Sequence, residues 1–286
     1  MIVCPNAKIN LGLEVVARRP DGYHDIETLF VPVPELRDVL EVVKTDGPSE
    51  LFQYGNPCDV APQKNLCFKA YLAMKERYCI GNIKIYLYKN IPSGAGLGGG
   101  SSDAAFTLMA INEVFSLGLS KEELASVAAT LGSDCPFFIY NRPMFASGRG
   151  EILEPFDIDL SNYRIEVVTP DVHISTAEAY AGVDTLKFSS AAPSFRPERD
   201  VNQKTPMSFR PERAARSGEI YPPEPLPLRL NKDISEWRES VINDFEAVAF
   251  EKYSILRDIK ESLYERGAAY ASMTGSGSAL YGLFPK

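Results

Sequence analysis

The chain has 286 residues, of which 45% are hydrophobic and 24% charged, and its formal net charge is −8. These proportions are ordinary for a folded protein, so they exclude disorder over the whole length. The acidic balance argues against a nucleic-acid partner, and no apolar run reaches the roughly 18 residues that a membrane span needs. A small phosphorylated ligand stays compatible with the charge, because it needs only local hydrogen-bond donors.

The N-terminal residues and the cysteines indicate a cytoplasmic protein. Residues 1–16 have no basic start followed by an apolar stretch and a small-residue cleavage site, so they predict no signal peptide. The five cysteines are scattered, odd in number and without a CxxC pair, which argues against a disulfide framework or a zinc site. We expect them to be reduced.

The first half of the chain predicts strands grouped at the start and helices clustered after a glycine-rich loop. Ser120 and Glu123 have the spacing of a capping box, and the helix that they open is expected to end at Gly132. Alternation and β-branched residues predict strands at 8–16, 26–33, 39–43, 83–88 and, as a short apolar strand, 136–140. Helical spacing predicts helices at 65–79, 102–115 and 120–131.

The second half begins near residue 151 and also mixes helices with strands. Strands are predicted at 163–169, 269–273 and 279–284, and helices from 176, from 244 and over 252–266. The order of elements predicts an α+β protein with two domains, 1–150 and 151–286.

A proline-rich basic tract at about 189–221 interrupts the second domain. The hexapeptide SFRPER occurs twice within it, at 194–199 and at 208–213. One repeated hexapeptide is too little for a solenoid, so we interpret the tract as a mobile, partly duplicated surface insert. A basic docking arm is the alternative.

The most informative segment is PSGAGLGGGSSDAA at residues 92–105, where five of the seven positions 94–100 are glycine. Glycines let main-chain amides approach a ligand closely, and the helix that follows directs free amides and its positive dipole end to the same point. The segment therefore predicts a cradle for a polyphosphate. A Walker loop is excluded because Ser101, not lysine, follows the last glycine, and the literal GxGxxG match alone is weak. A flexible glycine hinge is the structural alternative.

Two residues outside this loop are candidates for catalysis. Asp134 lies in a turn after a predicted helix, where a carboxylate can accept a proton from a substrate hydroxyl, although a simple turn or cap aspartate fits the local sequence equally well. Lys8 lies in an otherwise apolar strand and must pair or reach solvent. It could pair with Asp134 and keep that carboxylate ionised, whereas a strand-edge lysine facing water is the alternative.

A third group of residues could hold an aromatic base. Tyr23 and His24 follow Gly22 in a predicted loop between two strands, and Tyr180 lies on the short helix after Thr176. Such side chains can stack on a base and hydrogen-bond to it, although ordinary loop packing would account for them as well.

These residues coincide with motifs of a known family. Residues 5–30, 91–105, 131–138 and 273–284 together resemble the GHMP kinase superfamily, in the same order along the chain. The resemblance implies a ribosomal-protein-S5-like N-terminal domain and a ferredoxin-like C-terminal domain. It also implies ATP with Mg²⁺ and a small-molecule alcohol as substrate, but it leaves the metal ligands and any protein partner unknown.

Within the superfamily, the first motif resembles that of members whose substrate is a cytidine diphosphate ester of methylerythritol, phosphorylated at its C2 hydroxyl. The resemblance implies that Asp134 and Lys8 are catalytic. It implies substrate binding by Asn10, Tyr23, His24 and Tyr180, and support of the site by Gly275, Ser276 and Gly277. It implies ATP binding by Asn65, Pro92, Ser93, Gly94, Ala95, Gly96, Leu97, Gly98, Gly99, Gly100, Ser101 and Ser102.

Some questions stay open at the level of the sequence. Asp103 stands where many members of the superfamily carry Asn, which adds a negative charge near the phosphate site. A kinase for mevalonate, homoserine or a sugar is one alternative function. An RNA-binding protein is another, because the S5-like fold also occurs there.

Overall fold

The structure, a computed structural model, describes residues 1–57, 60–188 and 224–286. The basic insert predicted at 189–221 and Cys58 lie outside the described residues. Every helix within the described ranges is too short or too polar to cross a membrane. The strands are β1 (Ile2–Val3), β2 (Asn6–Arg18), β3 (His24–Arg37), β4 (Val39–Lys44), β5 (Glu50–Gly55), β6 (Ile83–Lys89), β7 (Met144–Ser147), β8 (Ile152–Pro155), β9 (Tyr163–Val168), β10 (Tyr270–Met273) and β11 (Leu280–Pro285). The helices are α1 (Leu66–Tyr78), α2 (Gly99–Phe115), α3 (Lys121–Ala129), α4 (Cys135–Tyr140), α5 (Thr176–Lys187), α6 (Leu226–Leu230), α7 (Trp237–Ser240), α8 (Phe245–Lys252) and α9 (Ser254–Glu265).

Two long antiparallel strands, β2 and β3, carry the first sheet, whose order is β2-β3-β7-β8. Lys8 pairs with Pro32 and Asn10 with Phe30. The register shifts around Gly12, whose φ is +64°, and such a bulge bends a strand. Beyond the bulge, Leu13 exchanges main-chain hydrogen bonds with Ile242 and Asp244, so β2 also joins the second half of the chain.

The second sheet has the order β1-β4-β6-β5 and packs one face against α1 and α2. Alternation in β6 explains this, because Ile83, Ile85 and Leu87 are buried while Tyr88 faces outward. The buried face joins a core with side chains of α1 to α4, such as Met74 of α1. β6 therefore ends, at Lys89, beside the start of the glycine loop.

The C-terminal sheet is antiparallel, with the order β10-β11-β9. One face packs on α8 and α9 through residues such as Leu280 and Leu263. The other face, with Tyr270 and Tyr281, packs against Ile9 of β2. This arrangement brings the turn between β10 and β11 next to the first strand pair.

Most predicted elements are present, but the predictions for residues 136–140 and for the start of the helix after the glycine loop need correction. Residues 136–140 form helix α4 and not a strand; Pro136 occupies its first turn, where the missing N–H costs nothing. The helix after the glycine loop begins at Gly99, three residues before the expected start at Ser102, so the last glycines belong to the helix itself. The capping box of Ser120 and Glu123 is confirmed.

Candidate active site

A cavity of about 450 Å³ lies along the glycine loop. It brings together three parts of the sequence prediction, namely the loop, the N-terminal end of α1 at Asn65, and Asp134. Its lining residues are Gln53, Val60, Lys64, Asn65, Leu66, Leu87, Lys89, Pro92 to Ser101, Asp103, Asp134 and Thr176.

The loop backbone adopts a conformation that favours glycine. Gly94, Gly96 and Gly98 have φ values of +69°, +78° and +70°, all in the left-handed region. Gly98 is also the N-cap of α2, so the helix directs its unpaired first-turn amides and its dipole into the cavity. This geometry is typical of an anion-binding site.

The glycine turn between β10 and β11, at Gly275 to Gly277 and called the third motif below, packs directly on this loop. A Cβ on Gly96 would lie 2.1 Å from the carbonyl oxygen of Thr274, and a Cβ on Gly275 would lie 3.0 Å from the Cα of Gly96. The N–H of Ala279 donates to the carbonyl of Ala95 at 3.2 Å. Gly275 therefore buttresses the loop by main-chain contact. Of its predicted companions, Ser276 shares a hydroxyl hydrogen bond of 3.2 Å with Thr176, and Gly277 packs against Met273.

Lys8 lies directly behind the loop and is only 5% exposed. Its main-chain N–H donates to Leu97 O at 3.0 Å, and its Nζ donates to Gly96 O at 2.6 Å and to Asn10 Oδ1 at 2.5 Å. Burial lowers the pKa of Lys8 to about 8, and the charge of Asp134 opposes this shift. Lys8 and Asp134, both within the described residues, form no ion pair; the ammonium of Lys8 donates to Asn10 and Gly96, and Asp134 acts on it only through its charge.

Asp134 lies at the N-terminal end of α4, half-buried, on the wall of the cavity. It occupies the N-cap position of α4, as the cap interpretation expected, but its side chain makes no capping hydrogen bond to the helix. Instead, Ser101 Oγ donates to Asp134 Oδ1 at 2.7 Å. This bond connects the carboxylate to the first turn of α2 and orients it toward the phosphate cradle.

Asn10 is buried, and its side-chain amide is fully engaged in the protein. Its Nδ2 donates to Thr28 at 2.9 Å, and its Oδ1 accepts from Lys8 and, at 3.1 Å, from Thr274. In this structure Asn10 orients Lys8. Asn65, in contrast, caps α1 by accepting from the N–H of Cys67 at 2.9 Å, and it donates to Gln53 on the cavity wall.

The residues predicted to hold a base form a separate group. His24 is buried at the start of β3, not in a loop, and its ring stacks on Tyr180 at a centroid distance of 4.6 Å. His24 Nε2 also lies 2.6 Å from Asp184 of α5. Tyr23 is 57% exposed and lies against the guanidinium of Arg149. The structure thus joins His24 and Tyr180 but leaves Tyr23 on the surface.

Two residues that organise the site were not among the predicted site residues. Thr274 hydrogen-bonds to Asn10 and to Gly96, and Asn243 holds the carbonyls of Met273 and Gly275. Each lies far along the chain from its partners, so only the fold reveals them. The turn that contains Asp134 was recognisable from LGSDC at residues 131–135, whereas the contacts of Thr274 and Asn243 could not be predicted from local sequence.

Asp103 has a hydrogen-bond partner within the protein. Lys89 Nζ donates to Asp103 Oδ2 at 2.7 Å and also bonds to Asp38. Burial raises the pKa of Asp103 to about 8, although the charge of Lys89 opposes this. Burial alone would lower the pKa of Lys89, but the two carboxylates together raise it.

Comparison with known proteins identifies the family. The family described as GHMP kinases N terminal domain matches residues 65–142, and the one described as GHMP kinases C terminal matches residues 227–286. A protein of Azobacteroides pseudotrichonymphae named 4-diphosphocytidyl-2-C-methyl-D-erythritol kinase is 46% identical; the alignment covers 100% of this chain and 94% of the relative. A protein of Parabacteroides distasonis with the same name is 45% identical, with coverages of 100% and 92%.

Solved structures agree. A crystal structure of 4-(cytidine 5'-diphospho)-2C-methyl-D-erythritol kinase has a TM-score of 0.71 at 32% identity and covers 99% of this chain and 90% of its own. Mevalonate kinase of Methanococcus jannaschii reaches a TM-score of 0.65 at 14% identity, with coverages of 99% and 90%, which shows a shared fold only. The chain is a small-molecule kinase with GHMP kinase N- and C-terminal domains, and it belongs to the 4-diphosphocytidyl-2-C-methyl-D-erythritol kinase family.

Proposed function

We propose that this chain transfers the γ-phosphoryl group of ATP to the C2 hydroxyl of 4-diphosphocytidyl-2-C-methyl-D-erythritol, in non-mevalonate isoprenoid precursor biosynthesis. The observation that carries the proposal is that the glycine loop and Asp134 line one cavity, while Lys8, which is not a lining residue, donates to Gly96 O behind the loop. The names of relatives at 45–46% identity support the same substrate.

The glycine loop and Asn65 bind ATP in this proposal. The unpaired amides at the start of α2 face the same space as the loop, where a triphosphate would gain hydrogen bonds and a favourable dipole. Phosphoryl transfer needs positioning and charge neutralisation more than covalent help from the protein. A cradle of fixed main-chain donors supplies both.

Asp134 orients the acceptor hydroxyl and accepts its proton as the hydroxyl oxygen attacks the γ-phosphorus and ADP departs. Its hydrogen bond from Ser101 fixes the carboxylate relative to the phosphate cradle. The ammonium of Lys8, which interacts with Asp134 and is oriented by Asn10, stabilises the negative charge that develops on the attacking oxygen.

The cytidine end of the substrate binds at the second group of residues. His24 and Tyr180 already present two stacked rings, and a base gains from the same kind of contact. Tyr23 is exposed beside them and remains a predicted substrate contact, as does Asn10.

Mg²⁺ is also part of the proposal. Among the described residues there is no group of three or more His, Cys, Asp or Glu side chains that could hold a metal ion. In phosphoryl-transfer sites Mg²⁺ commonly keeps several waters and is bound through substrate phosphates and one or two protein oxygens. Ser102 Oγ, buried in the first turn of α2 and without a hydrogen-bond partner in the described part of the chain, would supply a protein oxygen. When bound, Mg²⁺ neutralises charge on the transferring phosphoryl group.

The proposal also includes the fold of each domain. We assign an S5-like N-terminal domain to residues 1–150 and a ferredoxin-like C-terminal domain to residues 151–286. The antiparallel sheet β10-β11-β9 with its helices supports the second assignment, although β8 (Ile152–Pro155) pairs with β7 of the first sheet.

We also propose a cytoplasmic location without nucleic-acid or membrane partners.

A coupled ADP-release assay with three acceptors tests the function. We expect turnover with the diphosphocytidyl substrate and only background rates with mevalonate and homoserine. Preference for mevalonate, with no effect of the cytidine group, would assign another kinase activity. Salt-sensitive RNA binding without any ATP turnover would support a nucleic-acid-binding protein instead.

A further inference from the structure

A buried charge cluster lies beside the phosphate loop and has no part in the chemistry proposed above. It consists of Lys89, Asp38 and Asp103, which are 4%, 0% and 3% exposed. Lys89 Nζ donates to Asp38 Oδ2 and, at 2.7 Å, to Asp103 Oδ2. A buried ion cluster is weak grounds for stability, because removing each charge from water is costly. A role in positioning the neighbouring backbone explains the cluster better.

The cluster holds the entrance of the phosphate loop. Asp38 Oδ1 accepts hydrogen bonds from the main-chain N–H groups of Asn90, at 2.5 Å, and Ile91, at 2.8 Å. These two residues lead from β6 into the loop. One carboxylate thus fixes the backbone from which the loop departs and, through its other oxygen, also holds Lys89.

The cluster holds the exit of the loop as well. Asp103 lies in the N-terminal part of α2, immediately after the last residue of the loop, Ser102. Its bond to Lys89 connects α2 to the end of β6 across the intervening residues. Lys89 is therefore the shared partner of a carboxylate at each end of the loop.

The packing of Gly99 supports a mechanical connection between the cluster and the cradle. A Cβ on Gly99 would lie 2.9 Å from Cγ2 of Ile91 and 3.2 Å from Nζ of Lys89. The first residue of α2 thus touches both the loop entrance and the lysine. Because the unpaired amides of α2 face the cavity, a shift of Lys89 would move the groups that bind phosphate.

We propose that Lys89, held between Asp38 and Asp103, is a positioning residue that clasps the two ends of the phosphate loop and preorganises it for ATP. The proposal rests on the assignment of this loop as the ATP site. Preorganisation raises affinity by reducing the ordering that binding would otherwise require. The clasp thus acts on nucleotide affinity and leaves the acceptor site unchanged.

Lys89→Met, Lys89→Arg and the neutral triple variant Lys89→Met/Asp38→Asn/Asp103→Asn test the clasp. The triple variant is needed because Lys89→Met alone leaves two buried carboxylates unpaired and could prevent folding. Lys84→Met is the matched control, since Lys84 lies on the same strand and contacts Glu50 and the ring of Phe52 near the surface, away from the clasp.

ATP affinity is measured by calorimetry without a second substrate, and KM for both substrates is measured in the ADP-release assay. We expect the folded neutral variant to bind ATP roughly tenfold more weakly, with an unchanged KM for the acceptor, partial rescue by Lys89→Arg and no effect of Lys84→Met. A folded neutral variant with wild-type ATP affinity would overturn the clasp. If the wild type binds ATP but does not use the cytidine substrate, the proposed function fails while the clasp is still tested.

Discussion

Where Gly96 of the glycine loop meets the turn at Gly275, the contacts are made by main-chain atoms, whereas around His24 and Tyr180 they are made by side chains from distant segments. Gly96 meets Thr274 and Gly275 backbone to backbone. His24 meets Tyr180 and Asp184 through ring and carboxylate contacts. The phosphate site is thus fixed by the path of the chain, and the base site by how two parts of the chain pack.

Main-chain contacts suit a triphosphate, and side-chain contacts suit a base. A triphosphate is recognised by many equivalent amide donors at fixed spacing, which a glycine-rich backbone supplies without side chains. A base is recognised by flat surfaces and a few directional groups, which only side chains provide. We therefore expect substitutions on the phosphate side to affect ATP use, and substitutions on the base side to affect acceptor choice.

The largest expected effect is that of Asp134→Asn, because it removes the proton acceptor but keeps the shape and the bond from Ser101. We expect kcat to fall by about 10²–10⁴. ATP affinity, measured by calorimetry, should be preserved. Asp157→Asn, on an exposed loop, is the matched control and should turn over like the wild type. An Asp134→Asn variant with wild-type kcat would remove Asp134 from the mechanism.

The next largest effect is expected for Gly96→Ala. The added Cβ would lie 2.1 Å from Thr274 O at a φ of +78°, so the loop and the third motif must separate. We expect KM for ATP to rise by about 10–100-fold, with a loss of stability seen as a lower Tm.

Gly118→Ala measures the cost of backbone strain without a clash such as the one between Gly96→Ala and Thr274. Gly118 has a φ of +69° but nothing within 4 Å of an added Cβ. Its substitution should cost about 1–2 kcal/mol of stability and leave KM for ATP unchanged. Equal effects of the two substitutions on KM would show that the contact with Thr274 is unimportant.

The same contrast explains how much the sequence could predict. The glycine loop was recognisable because its function depends on local backbone freedom, and the capping box at Ser120 is equally local. Residues 136–140 were predicted wrongly, because a short apolar run fits a buried helix as well as a strand. The clasp partners Lys89 and Asp38 are 51 residues apart, and Asn10 and Thr274 are 264 apart, so no local pattern could pair them.

On the base side, Tyr180→Leu should weaken acceptor binding. Stacking on an aromatic ring is worth about 1–3 kcal/mol per base, so we expect KM for the cytidine substrate to rise roughly 5–150-fold. KM for ATP should not change. Tyr180→Phe is the matched control, since it keeps the ring stacked on His24. A rise in KM for ATP instead would mean that the two sides of the site are not separable.

The smallest expected effect is a dependence on pH that originates at Lys8. Burial lowers the pKa of Lys8 to about 8, so the side chain is charged below that pH and progressively neutral above it. If the charge stabilises the attacking oxygen, kcat/KM should be constant below about pH 8 and fall up to tenfold per pH unit above it.

Two variants identify the group whose titration causes the loss of activity at high pH. Lys8→Arg stays charged throughout, so its activity, although lower because the bonds to Asn10 and Gly96 are disturbed, should not fall above pH 8. Asp103 is the rival group, because burial raises its pKa to about 8 as well. If Asp103→Asn retains the fall and Lys8→Arg loses it, the titrating group is the lysine behind the phosphate loop. The opposite result would transfer the pH dependence to the clasp and leave the charge of Lys8 without a kinetic role.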